Sequence, residues 1–127
     1  MKKIMEDMLK EKVWAVVGAS NNKEKFGFKV FERLMEKGYR AYPVNPGCEE
    51  IEGKKCYKTL SEIPEVPGSV SMVIPPRAAI GVMEEAAVLG IKKIWFQPGA
   101  ESEEAIEKAK LLHLDVVYDN CILVELG

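Results

Sequence analysis

The residues that could bind a ligand follow the predicted strands, at the points where those strands end. These turns are Gly18-Ala19-Ser20, Asn45-Pro46, Ile74-Pro75, Gln97-Pro98-Gly99 and Asn120-Cys121. They offer backbone N–H groups, side-chain amides and an apolar proline wall, and they contain no carboxylate or imidazole. Because the carboxyl ends of parallel strands meet at one edge of a sheet, we expect the turns to form one ligand-binding crevice.

Residues for acid–base, nucleophilic or metal chemistry are scarce. The chain has one histidine, His113, and three cysteines, Cys48, Cys56 and Cys121, with no CxxC pair. A disulfide framework and a zinc site are therefore not expected. Asp119 alone does not make a catalytic set, so the sequence predicts binding rather than catalysis.

Short apolar strands alternate with helical segments along the whole chain. Strands are predicted at 13–17, 40–44, 70–74, 94–96 and 116–118, with helices at 27–37, 78–89 and 102–112 and a short leading helix at 4–11. This alternation predicts an α/β fold, with a Rossmann-like, doubly wound, mainly parallel five-stranded sheet and helices on both faces. Ile122-Leu123-Val124 is predicted to extend the last strand or to pack beside it.

Composition indicates one soluble domain spanning residues 1–127. Apolar residues make up 47% and charged residues 30%, the net charge is −2 and the pI is about 5.6. An acidic chain is not expected to bind nucleic acid or a membrane surface. No apolar run reaches the roughly 20 residues of a membrane helix, and acids stand where a signal peptide needs apolar residues, so we expect a cytoplasmic protein.

Two features bear on which nucleotide the crevice would take. Gly18 and Gly27 are separated by eight residues, so the G-x-G-x-x-G dinucleotide fingerprint is absent. Asn45-Pro46 stands at the end of the second strand, where an NAD site has an acid for the ribose hydroxyls. The absence of that acid is compatible with an adenosine that carries an extra phosphate, and it disfavours NAD.

Five segments together resemble a known family. Val17-Gly18-Ala19-Ser20, Tyr42-Pro43-Val44-Asn45-Pro46, Ile51-Glu52-Gly53, Trp95-Phe96-Gln97-Pro98-Gly99 and Asp119-Asn120-Cys121 look like those of the small stand-alone CoA-binding proteins. Those proteins are similar to the N-terminal domain of the succinyl-CoA synthetase alpha subunit. The resemblance runs from about residue 10 to residue 125.

This resemblance implies coenzyme A or an acyl-CoA as the ligand, usually without an assigned enzyme activity. The synthetase has a basic residue where this chain has Cys48, so Lys25 and Arg77 are the candidates for neutralising the phosphates. The implied arrangement places the pyrophosphate at the first turn, the adenosine at the second and third, and the pantetheine arm at the last two. The candidate ligand-binding residues are Gly18, Ala19, Ser20, Lys25, Asn45, Pro46, Ile74, Pro75, Arg77, Gln97, Pro98, Gly99, Asn120 and Cys121.

Alternatives remain open at this point. The domain could bind NAD(H) as a redox or sensory module, or it could be an interaction module that docks with a larger acyl-CoA enzyme as its protein partner. Gln97 either binds the ligand or ties two loops together. Cys121 is either a buried apolar side chain or a thiol that forms a mixed disulfide with CoA.

Overall fold

The computed structural model describes all 127 residues. Five strands form one parallel sheet, and a two-stranded hairpin and a 3-10 turn are inserted in the connection between its second and third strands along the chain. The elements are α1 (Lys2–Lys10), β1 (Val13–Val17), α2 (Phe26–Glu36), β2 (Arg40–Val44), β3 (Glu50–Ile51), β4 (Lys54–Lys55), the 3-10 turn (Leu60–Glu62), β5 (Ser69–Met72), α3 (Pro76–Val88), β6 (Lys93–Phe96), α4 (Glu103–Leu111), β7 (Asp115–Val117) and α5 (Ile122–Glu125).

The strand order in the sheet is β2-β1-β5-β6-β7, and every neighbouring pair is parallel. Val17 at the end of β1 is level with Val44 on one side and Met72 on the other. From β1 the chain proceeds outward to β2, and from β5 it proceeds outward in the opposite direction. The carboxyl ends of β1 and β5 therefore border the topological switch point, where open α/β sheets bind their ligands.

Helices cover both faces of the sheet, as the strand–helix alternation predicted. Successive residues of β1 point to opposite faces, so Trp14 packs with the α1, α2 and α5 side and Ala15 packs with the α3 and α4 side. Both tryptophans, Trp14 and Trp95, are fully buried in the core. None of the helices combines the length and the apolar character needed to cross a bilayer.

Two predicted segments differ from the structure. Ile122-Leu123-Val124 is not a strand, because the Cys121 carbonyl accepts hydrogen bonds from the amides of Val124 and Glu125 and starts the short helix α5. The third predicted strand ends at Met72 rather than Ile74. The chain must turn there into α3, which begins with Pro76, a residue without an amide hydrogen to donate.

The hairpin β3–β4 lies next to the carboxyl end of β2. Its turn residues, Glu52 and Gly53, have φ angles of 50° and 77°, which match the right-handed twist of a two-residue hairpin. After the hairpin, Tyr57 pairs with Val44 as an isolated parallel bridge. The segment that follows Tyr57 thus lies beside the carboxyl end of β2.

Candidate functional site

The turn after β1 is pressed against the exit of β5. Gly18 has a φ of +98°, and a Cβ at this position would lie 2.4 Å from the Val73 carbonyl oxygen and 2.8 Å from Cγ2 of Ile74. Only glycine fits both the backbone conformation and the space. The close approach brings the first and third predicted ligand turns together, as expected.

The first turn of α2 packs on the same loop. A Cβ on Gly27 would lie 2.1 Å from the Gly18 carbonyl oxygen, so the helix start touches the turn directly. The amides of Ala19, Ser20 and Gly27 donate no hydrogen bond within the protein. Free amides at the start of a helix are the ordinary binding arrangement for a phosphate.

The loop between β1 and α2 is held by its own polar groups. The amide of Asn22 donates to Ser20 Oγ at 3.0 Å, and the amide of Glu24 donates to Asn22 Oδ1 at 3.0 Å. Lys25 ends this loop as the N-cap residue of α2, is exposed and forms no ion pair. Its ammonium group is therefore free to meet an anion at the helix start.

Asn45 connects the ends of β2 and β1. Its Nδ2 donates to the Ala19 carbonyl at 2.8 Å, while its Oδ1 accepts from the Gly47 amide at 2.9 Å. These bonds fix the Asn45 side chain at the edge of the crevice and leave Pro46 exposed beside it. The first three predicted ligand turns thus meet at one place.

Two adjoining grooves form the crevice and share Gly18, Asn45 and Ile74 in their walls. One, of about 380 Å³, contains the amide-rich start of α2 and Lys25. The other, of about 240 Å³, has a mainly apolar wall that continues to Leu60. A polar groove joined to an apolar one suits a ligand with a phosphate group and a flat or chain-like apolar part.

The apolar groove includes residues that the sequence did not indicate. Lys58 and Thr59 line it, because the segment after the hairpin runs past the end of β2. The Glu85 carboxylate of α3 holds this segment by accepting from the amides of Leu60 and Ser61, at 3.2 and 3.3 Å. Lys58 is exposed and supplies a second cation at the crevice.

Arg77 does not join Lys25. It lies in the first turn of α3 and lines a separate groove with Ser102 and Glu104, at the start of α4. Pro75 is the exposed N-cap residue of the same helix. Of the two predicted cations, only Lys25 borders the switch-point crevice.

Gln97 has the tying role that the sequence left as one of two possibilities. The side chain is fully buried; its Nε2 donates to Ser71 Oγ at 3.0 Å, and its Oε1 accepts from the Ile122 amide at 3.1 Å. It thereby joins β5, β6 and the start of α5. Pro98 and Gly99 follow it as an exposed turn.

Asn120 and Cys121 lie past β7 and line neither of the two grooves. The Trp95 indole nitrogen donates to the Asn120 carbonyl at 2.9 Å, and Asn120 Nδ2 donates to the Tyr118 carbonyl at 2.9 Å. These bonds fix the segment at the carboxyl end of the sheet. Cys121, at the start of α5, is partly exposed rather than buried.

Cys48 and Cys56 are neighbours on the hairpin, next to Asn45. The Asn45 carbonyl accepts from the Cys48 amide at 3.2 Å and from the Cys56 thiol at 3.7 Å. Burial and the adjacent Cys48 thiol raise the pKa of Cys56 to about 11. No group of histidine, cysteine and carboxylate side chains is arranged to hold a metal ion.

A family model described as "CoA binding domain" matches residues 12–127. The chain belongs to this CoA-binding domain family. The match covers the strand ends and the β1 turn described above, and it bears out the resemblance drawn from the sequence motifs.

Relatives of this CoA-binding domain include both long and short proteins. The chain is 31% identical, over 85% of its length, to the acetate–CoA ligase [ADP-forming] II subunit alpha of Pyrococcus furiosus, but spans 26% of that subunit. It is 31% identical to the uncharacterized protein YneT of Bacillus subtilis, covering 95% of this chain and 90% of the relative. The solved structure of a conserved hypothetical protein from Pyrococcus furiosus superposes on this chain with a TM-score of 0.85 at 41% sequence identity. The match covers 90% of this chain and 98% of that protein.

Proposed function

We propose that the chain binds coenzyme A or an acyl-CoA at the switch point, between the ends of β1 and β5. The observation that carries the proposal is the amide-rich start of α2, which opens into a crevice next to an apolar groove. Membership of the CoA-binding domain family supports CoA as the ligand.

The pyrophosphate of CoA would lie on the free amides of the β1–α2 turn. The positive end of the helix dipole at Gly27 and the ammonium group of Lys25 would offset its charge. The adenosine would contact Asn45, Pro46 and Ile74, with Lys58 available to its extra phosphate.

The pantetheine arm would run towards the turn at Pro98-Gly99 and the Asn120-Cys121 segment. Gln97 would support this path indirectly, since it fixes the start of α5 behind Cys121. Arg77 lies in the first turn of α3 and would contact only a ligand that extends to the groove beside α4.

The crevice supports binding without catalysis by this chain. Its walls contain one carboxylate, Glu85, which is already bound to the amides of Leu60 and Ser61. A general acid–base pair needs two groups in reach of the same ligand atoms. Acyl transfer would therefore need groups from outside this domain.

Calorimetric titration with CoA, dephospho-CoA and NAD tests the proposal. We expect CoA to bind more tightly than NAD, because the end of β2 has Asn45 where a ribose-binding acid would stand. We also expect CoA to bind more tightly than dephospho-CoA, because the crevice has two cations for its phosphates. Equal or tighter binding of NAD would overturn the proposal.

A further inference from the structure

Cys48 and Cys56 approach each other because the hairpin folds one residue back beside the other. The Cys56 amide donates to the Glu49 carbonyl at 2.9 Å, which continues the β3–β4 ladder by one pair. The Cys48 amide and the Cys56 thiol also share the Asn45 carbonyl as their acceptor, at 3.2 and 3.7 Å. Both side chains line one groove and pack in the same apolar cluster.

The two thiols differ in their access to solvent. Both residues line the same groove, but Cys56 is 5% exposed, whereas Cys48 is only partly buried. The groove has Lys55 and Lys58 in its wall together with Glu49 and Glu62. A reagent from solvent therefore meets the Cys48 sulfur first.

We propose that Cys48 and Cys56 form a reversible dithiol–disulfide pair that reacts with small disulfides, with Cys48 as the attacking thiol and Cys56 as the resolving thiol. The Cys48 thiolate attacks one sulfur of a disulfide RSSR, and the first RS⁻ leaves and takes up a proton from solvent. The Cys56 thiol then gives up its proton, its thiolate attacks the Cys48 sulfur, and the second departing thiolate takes up that proton. The protein loses two hydrogens and gains one S–S bond, while RSSR is reduced to two RSH.

The burial of Cys56 is consistent with this order of events. Its pKa of about 11 leaves only a small thiolate fraction near neutral pH, so it does not compete for the external disulfide. Once Cys48 carries the mixed disulfide, the neighbouring sulfur is present at a high effective concentration and displaces the second RSH. When the disulfide forms, the Asn45 carbonyl loses the hydrogen bond from the Cys56 thiol. This lost bond couples the cysteine pair to the Asn45 loop at the crevice.

The test is to oxidise the reduced full-length chain with glutathione disulfide and to count the remaining thiols. After denaturation and alkylation, we expect Cys48 and Cys56 to be unmodified where the reduced chain shows both alkylated, and Cys121 is followed separately on its own peptide. Trypsin cleaves after Arg40, Lys54 and Lys58, so the disulfide would join peptide 41–54 to the short peptide that contains Cys56. Dithiothreitol would restore all three thiols.

Variants separate the two roles. Cys56→Ser should accumulate a glutathione adduct on Cys48, at least about tenfold above the wild-type adduct, because the resolving thiol is missing. Cys121→Ser is the matched control and should still form the internal disulfide. Three results would each contradict the proposed dithiol–disulfide pair: three alkylated cysteines in the treated wild type, a lasting glutathione adduct on its Cys48, or a disulfide bond to Cys121. Glutathione disulfide makes the result independent of CoA binding.

Discussion

The start of α2 packs directly on the β1 turn: a methyl group on Gly27 would lie 2.1 Å from the Gly18 carbonyl oxygen. In the dinucleotide fingerprint, closely spaced glycines give a tight turn and a close contact between helix and strand. Here the same two roles fall to Gly18 and Gly27, separated by the eight residues of a longer loop. The start of the helix can thus face a phosphate although the usual motif is absent.

The Gly27→Ala substitution should destabilise the fold, because the added methyl group must push α2 away from the turn. We expect the free energy of unfolding in urea to fall by about 1–3 kcal/mol, and CoA binding to weaken as the amides move. Gly81→Ala is the matched control, since Gly81 is also helical, is exposed and has open space around it. The contact matters little if Gly27→Ala is as stable as Gly81→Ala.

The sheet could be predicted from the sequence, because parallel strands must end at one edge. Of the five turns expected to form one crevice, the first three meet there, whereas the turns at 97–99 and 120–121 line neither groove. Gly18, Asn45 and Ile74 accordingly share one crevice. The helix α5 could not be predicted, since its four residues are too few to show a helical period. The same apolar residues are equally typical of a strand.

The other features that the sequence did not indicate lie in the connection between β2 and β5. Strands β3 and β4 in this connection have two residues each, too few for an alternating pattern, so the sequence does not indicate that Cys48 and Cys56 lie close together. Lys58 reaches the crevice only because Tyr57 bridges to Val44. Long-range pairing of this kind depends on how the connection folds and not on local periodicity.

The Lys25→Ala substitution should weaken CoA binding by about tenfold or more, because a charge-assisted hydrogen bond to phosphate contributes roughly 1.5–3 kcal/mol. The melting temperature should not change, since Lys25 is exposed and forms no ion pair. Lys23→Ala, in the same loop but outside the groove, is the control. Calorimetry that finds the two variants equal in affinity would remove Lys25 from the site.

The Gln97→Leu substitution should reduce stability rather than ligand affinity. It leaves the Ser71 hydroxyl and the Ile122 amide without partners in the core, at roughly 1–3 kcal/mol for each buried group. Urea unfolding measures the loss, and adding Ser71→Ala should recover part of it, because one unpaired group is then removed. A stable variant with weakened CoA binding would show instead that Gln97 contacts the ligand.

Cys121 should form a mixed disulfide with CoA when the protein is incubated with CoA disulfide. The segment is anchored by the bond from the Trp95 indole to the Asn120 carbonyl, and the Cys121 thiol is partly exposed. A thiol beside the end of the pantetheine arm would react at a high effective concentration.

Intact mass spectrometry of a Cys48→Ser, Cys56→Ser double variant isolates this reaction from the hairpin pair. We expect one CoA adduct that dithiothreitol reverses and that a further Cys121→Ser substitution abolishes. This adduct should form at least about tenfold faster than the glutathione adduct, because only CoA is positioned by the crevice. Equal rates with the two disulfides, or no adduct, would place Cys121 outside the reach of the bound cofactor.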